Sequence, residues 1–171
     1  GGAGAMDNNA PMMGGEWGGG GPHMDCLGRP DVNGVQVQEK MNILEAITAI
    51  IGQEIEMANK YKISSNGQEI FYAVEETDCL TRQAKQCAPD CAPWKVDILY
   101  TEGGQSMKAF EMKRDCTCTC LCFNRPVVEM TDATTGQKIG SIQDPFACCD
   151  LTFDLRGPND ESVLKANGGC C

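Results

Sequence analysis

The residues best placed to do chemistry are the cysteines of Cys116-Thr117-Cys118-Thr119-Cys120-Leu121-Cys122. They recur at every second position. Side chains of a β-strand repeat on one face with that period, so a strand would present all four thiols together. Neighbours on such a face stand about 6.5–7 Å apart along the strand, too far to bridge without bending the backbone. A disulfide ladder within the run is therefore disfavoured, and three readings stay open. Thiolates suit zinc or copper. Structural zinc sites, however, add a second cysteine pair or histidines, and the only histidine is His23. Cys87-x-x-x-Cys91 is a weak first pair. The second reading is S-acylation: a thiol cluster on an exposed segment can carry several acyl chains, and stable anchoring takes two or more. The third is that the cysteines are small buried hydrophobes of a strand. Cys148-Cys149 and Cys170-Cys171 are vicinal pairs, strained if bonded to each other, and read as further acyl sites or edge residues. Cys26 and Cys79 stand alone.

Other chemistry is thin. There is no phosphate-binding Gly-x-x-x-x-Gly-Lys loop, no His-Glu-x-x-His and no Gly-x-Ser-x-Gly elbow. With a single histidine, imidazole acid–base work is close to excluded and a cysteine nucleophile lacks its usual partner. Glu75-Glu76 and Asp78 read as a solvated acidic turn rather than a catalytic carboxylate pair. No calcium-loop spacing occurs. Fourteen basic against 24 acidic residues leave a formal charge of −10. That argues against a nucleic-acid partner and against electrostatic docking to an anionic leaflet. With no secretory signal and no N-glycosylation acceptor visible, the expected side is cytosolic, where thiols stay reduced.

The elements that position these groups follow from periodicity. Residues 1–36 are rich in glycine and methionine and read as a disordered tail, with Met12, Met13, Trp17 and Met24 as contact points. Over 37–58, Ile43, Leu44, Ile47, Ile50, Ile51 and Ile55 recur at helical spacing. That segment is expected as an amphipathic helix, too short in its apolar part to span a bilayer. From Lys60 onward the chain reads as short strands: Tyr61–Ile63, Gln68–Val74, Trp94–Thr101, Ser106–Glu111, Val127–Met130, Gln137–Gln143, Leu151–Leu155 and Ser162–Lys165. Asn66-Gly67 is a hairpin signature. Short strands at regular spacing indicate an antiparallel sheet curled into a barrel or sandwich.

Residues 40–171 resemble the phospholipid scramblase family. The matching segments are Lys60-Tyr61-Lys62-Ile63, then Asn66 to Cys79 with its Glu75-Glu76-Thr77-Asp78-Cys79 ending, and Thr81-Arg82. They continue through Lys113-Arg114-Asp115-Cys116 to Cys122, Gly136-Gln137-Lys138-Ile139-Gly140 and Val163-Leu164-Lys165. The resemblance implies a tubby-like fold, an antiparallel β-barrel around an apolar C-terminal helix, with this chain supplying the N-terminal half behind the short leading helix. It implies palmitoylation at Cys116, Cys118, Cys120 and Cys122, with Cys148 and Cys149 as additional thiol sites. It further implies residence at the cytoplasmic face of the plasma membrane, and calcium-dependent, ATP-independent movement of phospholipids between leaflets. No covalent bond changes, so the protein is not expected to be an enzyme. Calcium is the implied cofactor, and its binding segment is expected beyond residue 171. The implied partners are membrane phospholipids, with proteins reached through the N-terminal tail. A half-barrel leaves open strand edges and an unfilled apolar face, so the chain alone is expected to be marginally stable. Two rival functions differ in class: a cytosolic acylated interaction module without lipid transport, and a thiolate metal-binding protein.

Overall fold

The structure, a computed structural model, describes residues 21–32, 34–39, 57–76, 91–101, 107–118, 123–146 and 151–168. One helix, α1 (Pro22–Leu27), precedes nine strands: β1 (Gln36–Glu39), β2 (Met57–Ser65), β3 (Gln68–Glu76), β4 (Trp94–Tyr100), β5 (Met107–Arg114), β6 (Val127–Asp132), β7 (Lys138–Gln143), β8 (Leu151–Arg156) and β9 (Ser162–Gly168). Among the described residues they form one sheet whose spatial order is the sequence order. Every neighbouring pair is antiparallel. The expected antiparallel β architecture is present, and the sheet is not closed into a barrel. Its outermost strands, β1 and β9, are exposed along their whole length.

Local chemistry explains the turns. Asn66 and Gly67 have φ of 51° and 80°, the left-handed pair that a tight hairpin following the strand twist requires. Gly136 closes the β6–β7 connection with φ of 71°. Asp132 shapes the same turn, because its Oδ1 accepts from the backbone N–H groups of Thr134 (2.7 Å) and Thr135 (3.0 Å).

The aromatic packing lies on one face of the central strands, while Val74 and Leu99 are buried on the other. Phe71 on β3 sits opposite Tyr100 on β4, and Ile98 on β4 opposite Phe110 on β5. The Phe71 ring lies 5.5 Å from Tyr100 and 6.0 Å from Phe110 between centroids, both tilted, distances at which aromatic pairs attract beyond their area burial. Cys26, Ile70 and Ala109 complete the buried cluster, with Ile63, Met107, Met130 and Ile139 packed around it.

Three sequence expectations change. Within the stretch read as a tail, Pro22–Leu27 is helical and buries His23 and Cys26. Proline at the first turn starts that helix because its missing N–H has no partner to lose there. Cys26, which stood alone in the sequence, is a core residue. Of the helix expected over 37–58, Val37–Glu39 belong to β1 and Met57 opens β2, while 40–56 lie outside the described residues. Strand pairing with Tyr61–Ile63 holds Val37–Glu39 extended. Glu75 and Glu76 are not in a turn. They close β3, where the side chain of Asn59 donates to Glu75 Oε2 (2.5 Å) and Lys95 pairs with Glu76 (2.8 Å).

Phe110 is the centre of this core and is almost fully buried. Phe110→Ala should lower unfolding free energy by about 3–5 kcal/mol, read as a shift of the urea midpoint. A change below about 1 kcal/mol would contradict this placement of the core.

Candidate functional site

Cys116 and Cys118 follow the end of β5, two and four residues past Arg114. The run does not continue the strand across them, and both thiols are exposed. That removes, for these two, the reading as buried strand hydrophobes. The segment leaves the sheet in a defined direction. Arg114 Nη2 donates to the carbonyl of Ala92 (2.7 Å), Lys113 pairs with Asp115 (2.7 Å), and Thr117 Oγ1 donates to the Asp115 carbonyl (3.3 Å). The described residues resume at Phe123. Arg125 then joins this connection to the next one, donating through Nε to the Asp144 carbonyl (3.1 Å) and pairing with the Asp144 carboxylate. Cys120, Cys122, Cys148 and Cys149 lie outside the described residues, as do Cys79 and Cys87.

Two charged clusters escaped the sequence reading. The first lies across β3, β4 and β5. Lys108 pairs with Asp97 and Glu111 at 2.8 Å each, and Lys95 reaches Glu76 (2.8 Å), Glu111 (3.5 Å) and Asp97 (3.7 Å). Burial pushes the Asp97 carboxyl up against the opposing pull of Lys108, with neighbouring Glu76 pushing the same way. Glu76 is held low: burial, the largest single influence, would raise it, but the bonds to Lys95 and Asp97 and the charges of Lys95 and Lys108 together outweigh it. Glu111 is lowered chiefly by its bond from Lys108. Three carboxylates held by two ammonium groups make a cross-strand brace, not an open cation cage. Among the described residues no three ligating side chains converge as a metal site, so they do not fit the calcium that the resemblance implies.

The second cluster fastens α1 to the sheet. His23 Nε2 donates to Asp132 Oδ2 at 3.0 Å, with both residues buried. The imidazole meets the Phe110 ring edge-on, 5.1 Å between centroids. Phe110 and Asp132 are paired across β5 and β6, so one side chain of α1 reads two adjacent strands. Burial would raise the Asp132 carboxyl, yet the bonds from Thr134, His23 and the backbone N–H of Thr135 hold it well below the usual carboxylate range. Beside this contact lies a cavity of about 450 Å³ lined by Met24, Leu27, Phe110, Met130 and Ile139. The signal for Asp132 was present in the sequence, as an acidic residue ahead of Thr-Thr-Gly. His23 had none, because its glycine-rich surroundings read as disorder.

A nine-stranded antiparallel sheet with a clamped helix and exposed thiols beyond one strand end defines a β-sheet protein without a catalytic constellation among its described residues. The Scramblase family model matches residues 25–171, and the chain belongs to that family. It is 30% identical to phospholipid scramblase 1 of Mus musculus, over 78% of this chain and 38% of that protein. It is 31% identical to phospholipid scramblase 2 of Bos taurus, over 74% of this chain and 41% of the relative. It is 27% identical to phospholipid scramblase 1 of Homo sapiens, over 87% of this chain and 43% of the relative. The chain thus spans about two fifths of the length of these curated relatives. No solved structure matches it. Among the described residues no helix is long and apolar enough to cross a membrane.

The His23–Asp132 contact has a pH signature. A carboxyl held low in the folded state stabilises fully above its unfolded value, about 3.9. That contribution is lost as pH falls below it towards the lower folded value. Stability of the parent chain should therefore drop between about pH 4 and pH 2, and Asp132→Asn should be less stable at pH 7 with a flatter acid limb. Denaturation midpoints measured across that range check both; parallel acid limbs in parent and variant would count against the assignment.

Proposed function

We propose that this chain works at a phospholipid surface as part of a lipid-scrambling protein, held there by acyl chains on Cys116, Cys118, Cys120 and Cys122. The observation that carries the reading is the exposure of Cys116 and Cys118 beyond the end of β5, in a chain of the scramblase family. An acylating enzyme needs an accessible thiol, and a buried strand position would deny it one. Acylation also answers the charge: at −10 the chain gains nothing from an anionic leaflet, so affinity must come from hydrocarbon. Cys148 and Cys149 are secondary acceptors in the same reading.

The work itself is movement of phospholipid between leaflets of the plasma membrane, approached from the cytoplasmic face. It makes and breaks no covalent bond. Nucleotide is not required in this reading, in keeping with the lack of a phosphate-binding loop motif. Calcium dependence belongs to the same proposal; the carboxylates of Glu76, Asp97 and Glu111 are engaged by Lys95 and Lys108.

Acyl exchange after hydroxylamine treatment tests the anchor. One acyl chain gives only marginal membrane binding, of order 10⁴ M⁻¹, and two make it stable. Single Cys→Ala changes in the run should leave the protein in the membrane fraction. The fourfold change should abolish most labelling and release it. Full labelling in the fourfold variant would move the acyl sites elsewhere. A liposome assay with and without calcium tests transport; acylation without lipid movement would favour the interaction-module reading.

A further inference from the structure

The strand order has a consequence for the cysteines. In a sheet of sequential antiparallel strands, connections alternate between its two ends. The stretches that follow β3, β5, β7 and β9 all leave from one end, the end marked by Glu76, Arg114, Gln143 and Gly168. Eleven of the twelve cysteines fall in those four stretches of sequence. Cys26, in α1, is the exception. Among the described residues Cys91, Cys116 and Cys118 flank strand ends there, and Cys116 and Cys118 are exposed.

The same end carries uncovered apolar side chains. Phe123 is 67% exposed, Phe146 54% and Leu151 69%. They are neighbours in the fold. Arg125 and Asp144 tie the segment after Phe123 to the segment before Phe146, Val127 pairs with Gln143, and Leu151 opens β8 beside them. Three described cations here are engaged: Lys113 by Asp115, Arg125 by Asp144, and Arg114 by the Ala92 carbonyl. At the opposite end the described connections are polar, Asn66-Gly67, Ala133 to Gln137 and Gly157 to Glu161, with Asp160 bound by Lys138 (2.6 Å). The contrast is one between connections: towards the far end, exposed aliphatics (Val35, Val37, Val163 and Leu164) belong to the two edge strands and their approaches rather than to the turns.

We propose that the end of the sheet bearing Phe123, Phe146 and Leu151 is a bilayer-docking rim, with these side chains entering the headgroup boundary beside the thiols of Cys116 and Cys118. This rests on the lipid-surface reading above and adds which part of the chain meets the lipid. The occupant is a lipid surface rather than a protein groove because the apolar groups sit beside exposed thiols, the groups that carry acyl chains into the same layer. The rim further gives an acylating enzyme a membrane-bound substrate, since weak docking precedes the covalent anchor.

The test uses the full chain produced without acylating enzymes, so that acyl chains contribute nothing. Sedimentation with phosphatidylcholine vesicles containing a minority of phosphatidylserine should show weak binding. The double change Phe123→Asp with Phe146→Asp should weaken it by about tenfold or more, as expected when two interfacial aromatics are lost. Val163→Asp with Leu164→Asp, exposed aliphatics on β9 rather than on the rim, should leave it unchanged. In bromolipid vesicles, Phe123→Trp should gain quenched emission over the parent's Trp17 and Trp94 signal, and Asn159→Trp at the opposite turn should not. Both kinds of substitution sit at exposed positions, and far-ultraviolet circular dichroism confirms that each variant folds.

The proposal is overturned if the rim variant binds like the parent, if the β9 variant loses as much, or if the position-159 probe is quenched equally. Loss of self-association with unchanged vesicle binding also overturns it, assigning the rim to a second copy. The two readings separate cleanly. Absent acyl labelling with rim-dependent binding removes the anchor and keeps the rim. Full labelling with rim-independent binding does the reverse.

Discussion

An open antiparallel sheet has to cover one face, and here the constraint falls on the aromatic row of Phe71, Tyr100 and Phe110. Left to water, those rings would forfeit roughly 1.5–3 kcal/mol of transfer free energy each. A six-residue helix supplies the cover. So short a helix is not stable by itself, and its position is set by what it touches. His23 lies edge-on to Phe110 and bonds Asp132, Cys26 joins the core, and Asp132 is already fixed by its own turn. The sheet orders the helix and the helix dries the sheet.

The opposite face of the central strands follows another logic. Asp97 is buried, yet it is framed by Lys108 and Lys95, which also reach Glu111 and Glu76. Buried pairs of this kind are weak evidence for stability, because desolvation offsets most of their attraction. Their effect is on register: a one-residue slip of β4 would turn Asp97 into the aromatic face and Ile98 out of it. The brace and the aromatic row therefore specify the same pairing from two sides.

Strand positions were legible in the sequence because alternation is a local signal. The run from Trp94 to Tyr100 and the Asn66-Gly67 turn both appear where the pattern put them. What was not legible depends on distant partners. His23 is separated by 109 residues from the carboxylate that holds it, and a Pro-His-Met-Asp-Cys-Leu segment among glycines has no periodicity to announce a helix. Val37–Glu39 carry a pattern equally suited to helix and strand, and pairing with β2 decides between them. At the candidate site, the alternating thiols implied one exposed face by assuming a strand. Cys116 and Cys118 are exposed for a different reason, since β5 has ended before them.

The order of the sheet also bears on how the chain acquires its shape. Each strand pairs with the one made just before it, so contacts are short-range in sequence and strand addition can keep pace with synthesis. The clamp between His23 and Asp132 breaks that rule. Pro22–Leu27 leaves the ribosome early, but its binding place does not exist until β6 has joined β5. For most of synthesis the helix segment is a ligand waiting for its receptor, and its docking is a late, loop-closing event.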